Sequence, residues 1–457
     1  MNLFAARRYL RLTPFDTRTE QGRRDERYRL AALSILANVL GRGFSVVVML
    51  LSVSLTLPYL GVERFGVWMT VASFAGLLAF LDLGVGNALT NHVAQRAAEE
   101  KADLLSQTIS GGLAFLALIG AGAALLLWFV AANLPWGVLM KVDQPELLLE
   151  AQQAAMLFAL LFGLSIFTSG VQRVFAGMQQ AYLGHLATAI GSLAACAGLW
   201  FAADARQGIP VLLTVMLGSQ CAAGLLLLAL LVVRKQFVLR GILGFAKLEG
   251  PHLFRVGGLF FVLQIGTMVG WGADSLIISS TLGAAQVAVF SVVQRLFQLA
   301  TQPMSIMNAP LWGAYADAHA RNDRSFIRKT LKKSMAITLA GVTLGATVLL
   351  VGQSWLIAKW THGTIVVPLL LLTTYAVWII FDACGNAFAM FLNGTGIVKQ
   401  QISVVMLFVA LVIPLKFILV GSMGLMAIPL ATITAYLIST VGLYSLVYLD
   451  DIRQKIE

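Results

Sequence analysis

Long apolar runs, each about the length of a bilayer crossing, alternate with short polar connections from residue 30 to residue 448. A membrane span needs about 20 mainly apolar residues. On that rule the chain predicts twelve helical spans, over 30–57, 65–91, 108–133, 152–172, 183–203, 209–233, 254–281, 284–312, 333–353, 366–392, 401–420 and 423–448. The expected fold is therefore an all-α integral membrane protein of twelve transmembrane helices.

Composition agrees with the pattern. Of 457 residues, 59% are hydrophobic and 12% charged, with a mean hydropathy of +0.84; a soluble chain carries about 25% charged residues. Such a chain must keep its apolar surface in lipid. Cys196, Cys221 and Cys384 stand singly within apolar runs, without metal-ligand or disulfide spacing, and read as small buried residues. The first 29 residues are mostly polar, so the first span is expected to serve as an uncleaved insertion signal.

Charge then orients the spans. Both termini and the connections near 92–107, 173–182, 234–253, 313–332 and 393–400, including Arg255 and Lys333 at span edges, hold 25 of the 32 Lys and Arg. The alternate connections hold four: Arg64, Lys141, Arg206 and Lys359. By the positive-inside rule both termini are expected in the cytoplasm. This asymmetry accounts for most of the +11 net charge, so no nucleic-acid partner is called for. The basic tail, with Arg7, Arg8, Arg11, Arg18, Arg23, Arg24, Arg27 and Arg29 among apolar residues such as Phe4 and Leu10, is expected to lie against membrane lipid of the inner leaflet.

The two halves of the chain resemble each other. Leu60-Gly61-Val62 to Trp68 aligns without a gap on Leu282-Gly283-Ala284 to Phe290, and the same offset of 222 residues aligns Ala102–Ile109 with Arg324–Leu331. One offset held across a helix and both its flanking loops implies two six-helix lobes related by a pseudo-two-fold axis along the membrane normal. The expected organisation is a basic tail (1–29), an N-lobe (30–233), a cytoplasmic linker (234–253), a C-lobe (254–448) and a second tail (449–457).

Several stretches resemble the polysaccharide-export branch of the multidrug/oligosaccharidyl-lipid/polysaccharide flippase superfamily. They are Leu60-Gly61 followed by Phe65-Gly66-Val67-Trp68, the run Leu81-Asp82-Leu83-Gly84-Val85-Gly86-Asn87-Ala88-Leu89, and Asp274-Ser275-Leu276-Ile277-Ile278 before Leu282-Gly283. The resemblance covers nearly the whole chain. It implies alternating access and the movement of an undecaprenyl-diphosphate-linked oligosaccharide from the cytoplasmic to the periplasmic leaflet of a bacterial inner membrane. Such a step serves surface polysaccharide synthesis: O-antigen, capsule or exopolysaccharide. The implied partners are the lipid-linked glycan and a downstream polysaccharide polymerase, with the transporter acting as a monomer.

Ionisable residues inside spans are costly, roughly 2.5–3.5 kcal/mol each on insertion scales, and usually serve transport. Arg42 and Arg295 are candidate diphosphate ligands, because a guanidinium fork binds phosphate oxygens bidentately and stays charged. Asp82 and Asp274 are their expected counterions and are themselves candidate substrate-binding residues. Asp274 and Arg295 lie roughly 12 Å and 18 Å back from the turn at Leu282–Gly283, so the two are expected to pair. Lys416, near the outer end of its span, is expected to snorkel to the surface. Asp382, followed by Asn386 and Asn393, is a candidate Na⁺ or H⁺ coupling site or a helix–helix hydrogen-bonding group. No other cofactor is expected. No Gly-rich phosphate loop with Lys and no serine nucleophile elbow stands in the chain, so neither an ATP site nor a catalytic constellation is expected.

Two alternatives stay open. A cation-coupled multidrug exporter would share the fold, but the first span offers Arg42 and no carboxylate. A membrane glycan polymerase or ligase would need acid–base residues on sizeable outer loops, and the longest here, 134–151, is short. The orientation is checked by reporters: one fused after Glu457 should read as cytoplasmic and one inserted near Val142 as periplasmic. The opposite pair of results overturns the topology.

Overall fold

The computed structural model describes residues 11, 13, 15–16, 19–78, 81, 85–98, 102–237, 266, 270, 272–308 and 310–450. Among these residues the secondary structure is entirely helical. In chain order the helices are α1 (Glu20–Leu77), α2 (Val85–Ala98), α3 (Ala102–Asn133), α4 (Trp136–Met140), α5 (Pro145–Gly177), α6 (Ala181–Asp204) and α7 (Ile209–Val233). The second half continues with α8 (Asp274–Leu282), α9 (Ala284–Asn308), α10 (Leu311–Ala320), α11 (Arg324–Trp360), α12 (Leu369–Gly394), α13 (Val398–Met423), α14 (Ala427–Tyr436) and α15 (Leu443–Leu446).

Eight helical stretches among the described residues are long and apolar enough to cross a membrane. Only 17% of the apolar window of α11 is buried within the protein. Val351, Leu118 and Phe129 stand 83%, 69% and 64% exposed. Faces this apolar and this open belong in lipid, and the chain is a multi-pass membrane protein with an all-α fold.

The 58 residues of α1 would run nearly three times the ~30 Å hydrocarbon core if straight. They do not run straight. Gly61 breaks the helix with φ 75° and ψ 171°, so α1 holds two spans that meet at a kink where the sequence predicts a loop over 58–64. Gly283, between α8 and α9, adopts nearly the same conformation, φ 91° and ψ 166°. That region of backbone space is open essentially to glycine alone. The same 222 residues that separate Gly61 from Gly283 also separate the first residue of α3, Ala102, from that of α11, Arg324. The internal repeat is thus present in backbone geometry as well as in residue type. The last long helix of each half also contains a π turn, Thr214–Gly218 in the first and Leu437–Gly442 in the second.

Two predicted spans are interrupted. The span expected over 65–91 is helical to Leu77 and resumes as α2 at Val85; the span expected over 284–312 ends at Asn308, before Pro310. A proline lacks the N–H that would continue the helix. Most of the predicted linker 234–253, much of the span 254–281, and Asp82 lie outside the described residues.

By internal contacts the chain forms two compact units, and these do not follow the two halves of the sequence. One comprises residues 1–55, 79–134 and 149–261. The other comprises 56–78, 135–148 and 262–457. In the second, α4 and the residue that follows it are tied to α8: Lys141 Nζ donates to Thr281 O at 2.6 Å, and Ser279 Oγ to Leu139 O at 3.1 Å.

At the start of α1, Glu26 engages Arg29 and Phe15. Arg29 donates to both Glu26 oxygens, at 2.6 and 2.8 Å, and to Arg11 O at 3.2 Å. Phe15 N donates to Glu26 Oε2 at 2.9 Å, and the Arg11 guanidinium lies 3.4 Å over the Phe15 ring. The hydrogen bond from Arg29 holds the Glu26 carboxyl below the usual carboxylate range.

The glycine turns carry a direct test. Gly61→Ala and Gly283→Ala should each cost roughly 1–3 kcal/mol, because a Cβ forces residues out of that backbone region. Thermal unfolding of the purified variants in detergent should show both losses; an unchanged midpoint for either would mean that its turn relaxes without strain.

Candidate substrate site

In the first unit, one face of α1 carries a run of polar groups. Asn38, Arg42 and Ser45 follow each other at helical spacing. Arg42 is half-buried, and its Nε donates to Asn38 Oδ1 at 3.2 Å. One turn further on, Ser45 Oγ lies 3.2 Å from Ser192 Oγ on α6, and Gln220 Nε2 on α7 donates to the same Ser192 oxygen at 3.2 Å. His185, two turns before Ser192, lies within electrostatic reach of Arg42. Arg42 therefore heads a polar ladder that crosses α1, α6 and α7. Chemically, the ladder offers one permanent cation followed by hydroxyl and amide groups. None of the partners in α6 and α7 was singled out from the sequence. A 38–42–45 polar spacing inside an apolar span was the available signal for the α1 residues.

In the second unit, Arg295 on α9 is half-buried and directs Nη2 at Met69 Sδ, 3.1 Å away. The expected Asp274–Arg295 pair is corrected here. Asp274 instead forms an ion pair with Lys416 of α13. Equal depth brings two residues level but leaves their directions open. Successive helical residues turn by about 100°, and Asp274 faces α13 while Arg295 faces the segment that carries Met69. The expected snorkelling of Lys416 is corrected for the same reason. Its side chain is 0% exposed and turns inward to a carboxylate and to Gly270 O, 3.2 Å away.

Asp382 and Asn386, one turn apart on α12, line a cavity of about 400 Å³ with Tyr436 and with Thr440 of the second π turn. Asn393, also in its wall, is engaged: Gln401 Nε2 donates to Asn393 Oδ1 at 2.9 Å, joining α12 to α13. This cavity offers carboxylate, amide and hydroxyl oxygens, which suit a hard cation or a proton. Trp378 packs edge-on against Tyr436, at 5.8 Å between ring centroids, and is buried. Trp271 lies outside the described residues. Among the described residues, no group of three or more His, Cys, Asp or Glu is placed to hold a metal ion.

The sequence matches the family described as polysaccharide biosynthesis protein over residues 29–311. No curated protein matches it significantly. Three solved structures share its fold. A multidrug resistance MATE family transporter of the MOP superfamily, in an inward-facing conformation, matches with a TM-score of 0.77 at 14% identity, over 90% of this chain and 96% of that one. The lipid II flippase MurJ, in an inward closed conformation, matches with a TM-score of 0.68 at 14% identity, over 92% and 90%. A MOP superfamily transporter from Pyrococcus furiosus, described as having a binding pocket of reverse polarity, matches with a TM-score of 0.66 at 14% identity, over 91% and 93%. These likenesses are to transporters, and at 14% identity they show a shared fold.

The pairing of Asp274 is open to a double-mutant cycle on thermal stability. Asp274→Asn and Lys416→Met should be coupled by about 1 kcal/mol or more, whereas Asp274→Asn and Arg295→Met should be additive within about 0.5 kcal/mol. Coupling of Asp274 to Arg295 alone would restore the pair expected from depth.

Proposed function

Because the chain belongs to the polysaccharide biosynthesis protein family, we propose that it is a flippase for a diphosphate-linked lipid oligosaccharide. The substrate class is an undecaprenyl-diphosphate-linked glycan, carried from the cytoplasmic to the periplasmic leaflet by alternating access. The setting is the bacterial inner membrane with both termini in the cytoplasm, and the product feeds a polysaccharide polymerase. The transporter acts as a monomer.

The observation that carries this reading is the Arg42 ladder. A guanidinium fork matches a diphosphate, and Asn38, Ser45, Ser192, His185 and Gln220 add the neutral donors and acceptors that sugar hydroxyls require. Arg295 supplies a second guanidinium at membrane depth. Asp274 is ion-paired with Lys416. Two guanidinium groups favour an anionic substrate. Asp82 remains a candidate counterion on sequence grounds. In this scheme a Na⁺ or H⁺ gradient acts at Asp382, in the cavity shared with Asn386 and Thr440.

The fold also serves multidrug transporters, so a cation-coupled drug exporter is the second reading. The Asp382 cavity is the observation that favours it. The test is lipid extraction from a deletion strain. Flippase function predicts accumulation of one diphosphate-linked saccharide, cleared by the wild-type gene. Arg42→Ala or Arg295→Ala should reduce export at least ~10-fold at normal protein level, and the Lys variants should restore it only in part. Absence of any accumulated saccharide, together with increased sensitivity to cationic drugs, would transfer the function to the second reading.

A further inference from the structure

The described part of the seventh span is interrupted. Gly266, Gly270 and Gly272 are helical, Ala273 takes φ −77° and ψ −8°, and α8 begins at Asp274. In an unbroken helix the carbonyl of Gly270 would meet the N–H of Asp274. Here Gly270 O accepts from Lys416 Nζ at 3.2 Å, and the same ammonium is ion-paired with Asp274 Oδ1. The ammonium therefore sits between the carbonyl that precedes the break and the carboxylate that follows it. Both contacts fit the helix macrodipole, which favours a cation at a helix C-terminal end and an anion at an N-terminal end.

Helix packing delivers the lysine to that point. A Cβ on Gly266 would come within 2.4 Å of Val405 Cγ1, and one on Gly270 within 2.7 Å of Phe408 Cε1. The two glycines, four residues apart, let α13 approach closely. Val405, Val409, Val412 and Lys416 recur at helical spacing on α13, so the face laid against the glycines ends at the break. Lys416 is fully buried there, and Asp274 is only 16% exposed.

We propose that Lys416 is a tethered cation, occupying a seat that would otherwise take a free monovalent ion. Backbone carbonyls at the ends of discontinuous membrane helices, joined by a carboxylate, are how transporters commonly hold Na⁺. Lys416 fills such a seat permanently, which makes Asp274 unable to exchange ions. Asp274 and Asp382 both act electrostatically on Tyr375, so they belong to one neighbourhood. Asp274 holds an ammonium, and Asp382 lines a cavity. Removing the lysine should open a second cation site where the protein now has none. The inference goes beyond the flippase reading and does not rest on it.

The test uses the purified full-length protein in detergent, carrying Asp382→Asn so that only the Asp274 seat is read. Thermal midpoints are measured in NaCl, methylammonium chloride and choline chloride at equal ionic strength. The Asp382→Asn protein should melt at one temperature in all three salts. With Lys416→Ala added, the midpoint in choline should fall by roughly 5–10 °C, as expected for a buried pair that loses one partner. Na⁺ or methylammonium should restore at least half of that loss. Lys416→Gln, which keeps a donor for Gly270 O and removes only the charge, is the second variant and should behave likewise. Equal midpoints in all three salts for the lysine variants would overturn the proposal. So would failure of both variants to accumulate in any of the three salts, since the emptied seat is expected to accept the added cation. A Na⁺-dependent midpoint in the Asp382→Asn protein that vanishes on adding Asp274→Asn would overturn it too, by showing that the seat exchanges ions with Lys416 present. No glycan enters the assay, so its failure leaves the transport reading untouched.

Discussion

Hydrocarbon offers no hydrogen bonds, and that single constraint governs where this protein can place polar chemistry. Each donor, acceptor or charge at membrane depth must find its partner inside the protein. Many hydroxyls turn back to a carbonyl of their own helix, as Thr70, Ser110 and Thr432 do, and other polar groups meet along seams between helices. One seam is the ladder from Asn38 and Arg42 through Ser45 and Ser192 to Gln220. Another joins the break before Asp274 to Lys416. A third ties Asn393 to Gln401. A helix can break at Ala273 because an ammonium replaces what the broken backbone ladder no longer provides.

The chemistry of these seams says more about the substrate than the fold does. The same architecture is shared by a multidrug MATE transporter and by the lipid II flippase MurJ, so architecture alone does not choose between a cation and an anionic lipid. Side chains do. The first unit presents a guanidinium backed by hydroxyl and amide groups, a set suited to phosphate and sugar together. In the second, Asp274 is already neutralised by Lys416. A site for cationic drugs would reverse that arrangement, with carboxylates foremost.

Much of the fold was legible because its signals are one-dimensional. Span lengths follow from apolar runs, and the repeat was readable at Gly61 and Gly283, which proved to share a backbone conformation almost no other residue adopts. Direction around a helix axis was not legible. Depth placed Asp274 level with Arg295, yet the carboxylate faces α13, and nothing in the local sequence of α8 announces Lys416, 142 residues away. Lys416 was misread for a related reason. Its position near a helix end allows snorkelling, but a buried carboxylate and a free carbonyl draw the ammonium inward. The ladder partners Ser192 and Gln220 were missed because an isolated polar residue in an apolar span is ordinarily a helix-packing group. Their role emerged only when three helices brought them together.

The claim that the guanidinium groups hold an anionic lipid-linked glycan is tested most directly by what the protein carries out of the membrane. Native mass spectrometry of the transporter, released gently from detergent, should show a bound adduct with the mass of a diphosphate-linked lipid saccharide. Arg42→Ala, purified identically, should lose most of that adduct while keeping its ordinary phospholipids. An adduct of equal intensity in both proteins, or none in the wild type, would contradict it.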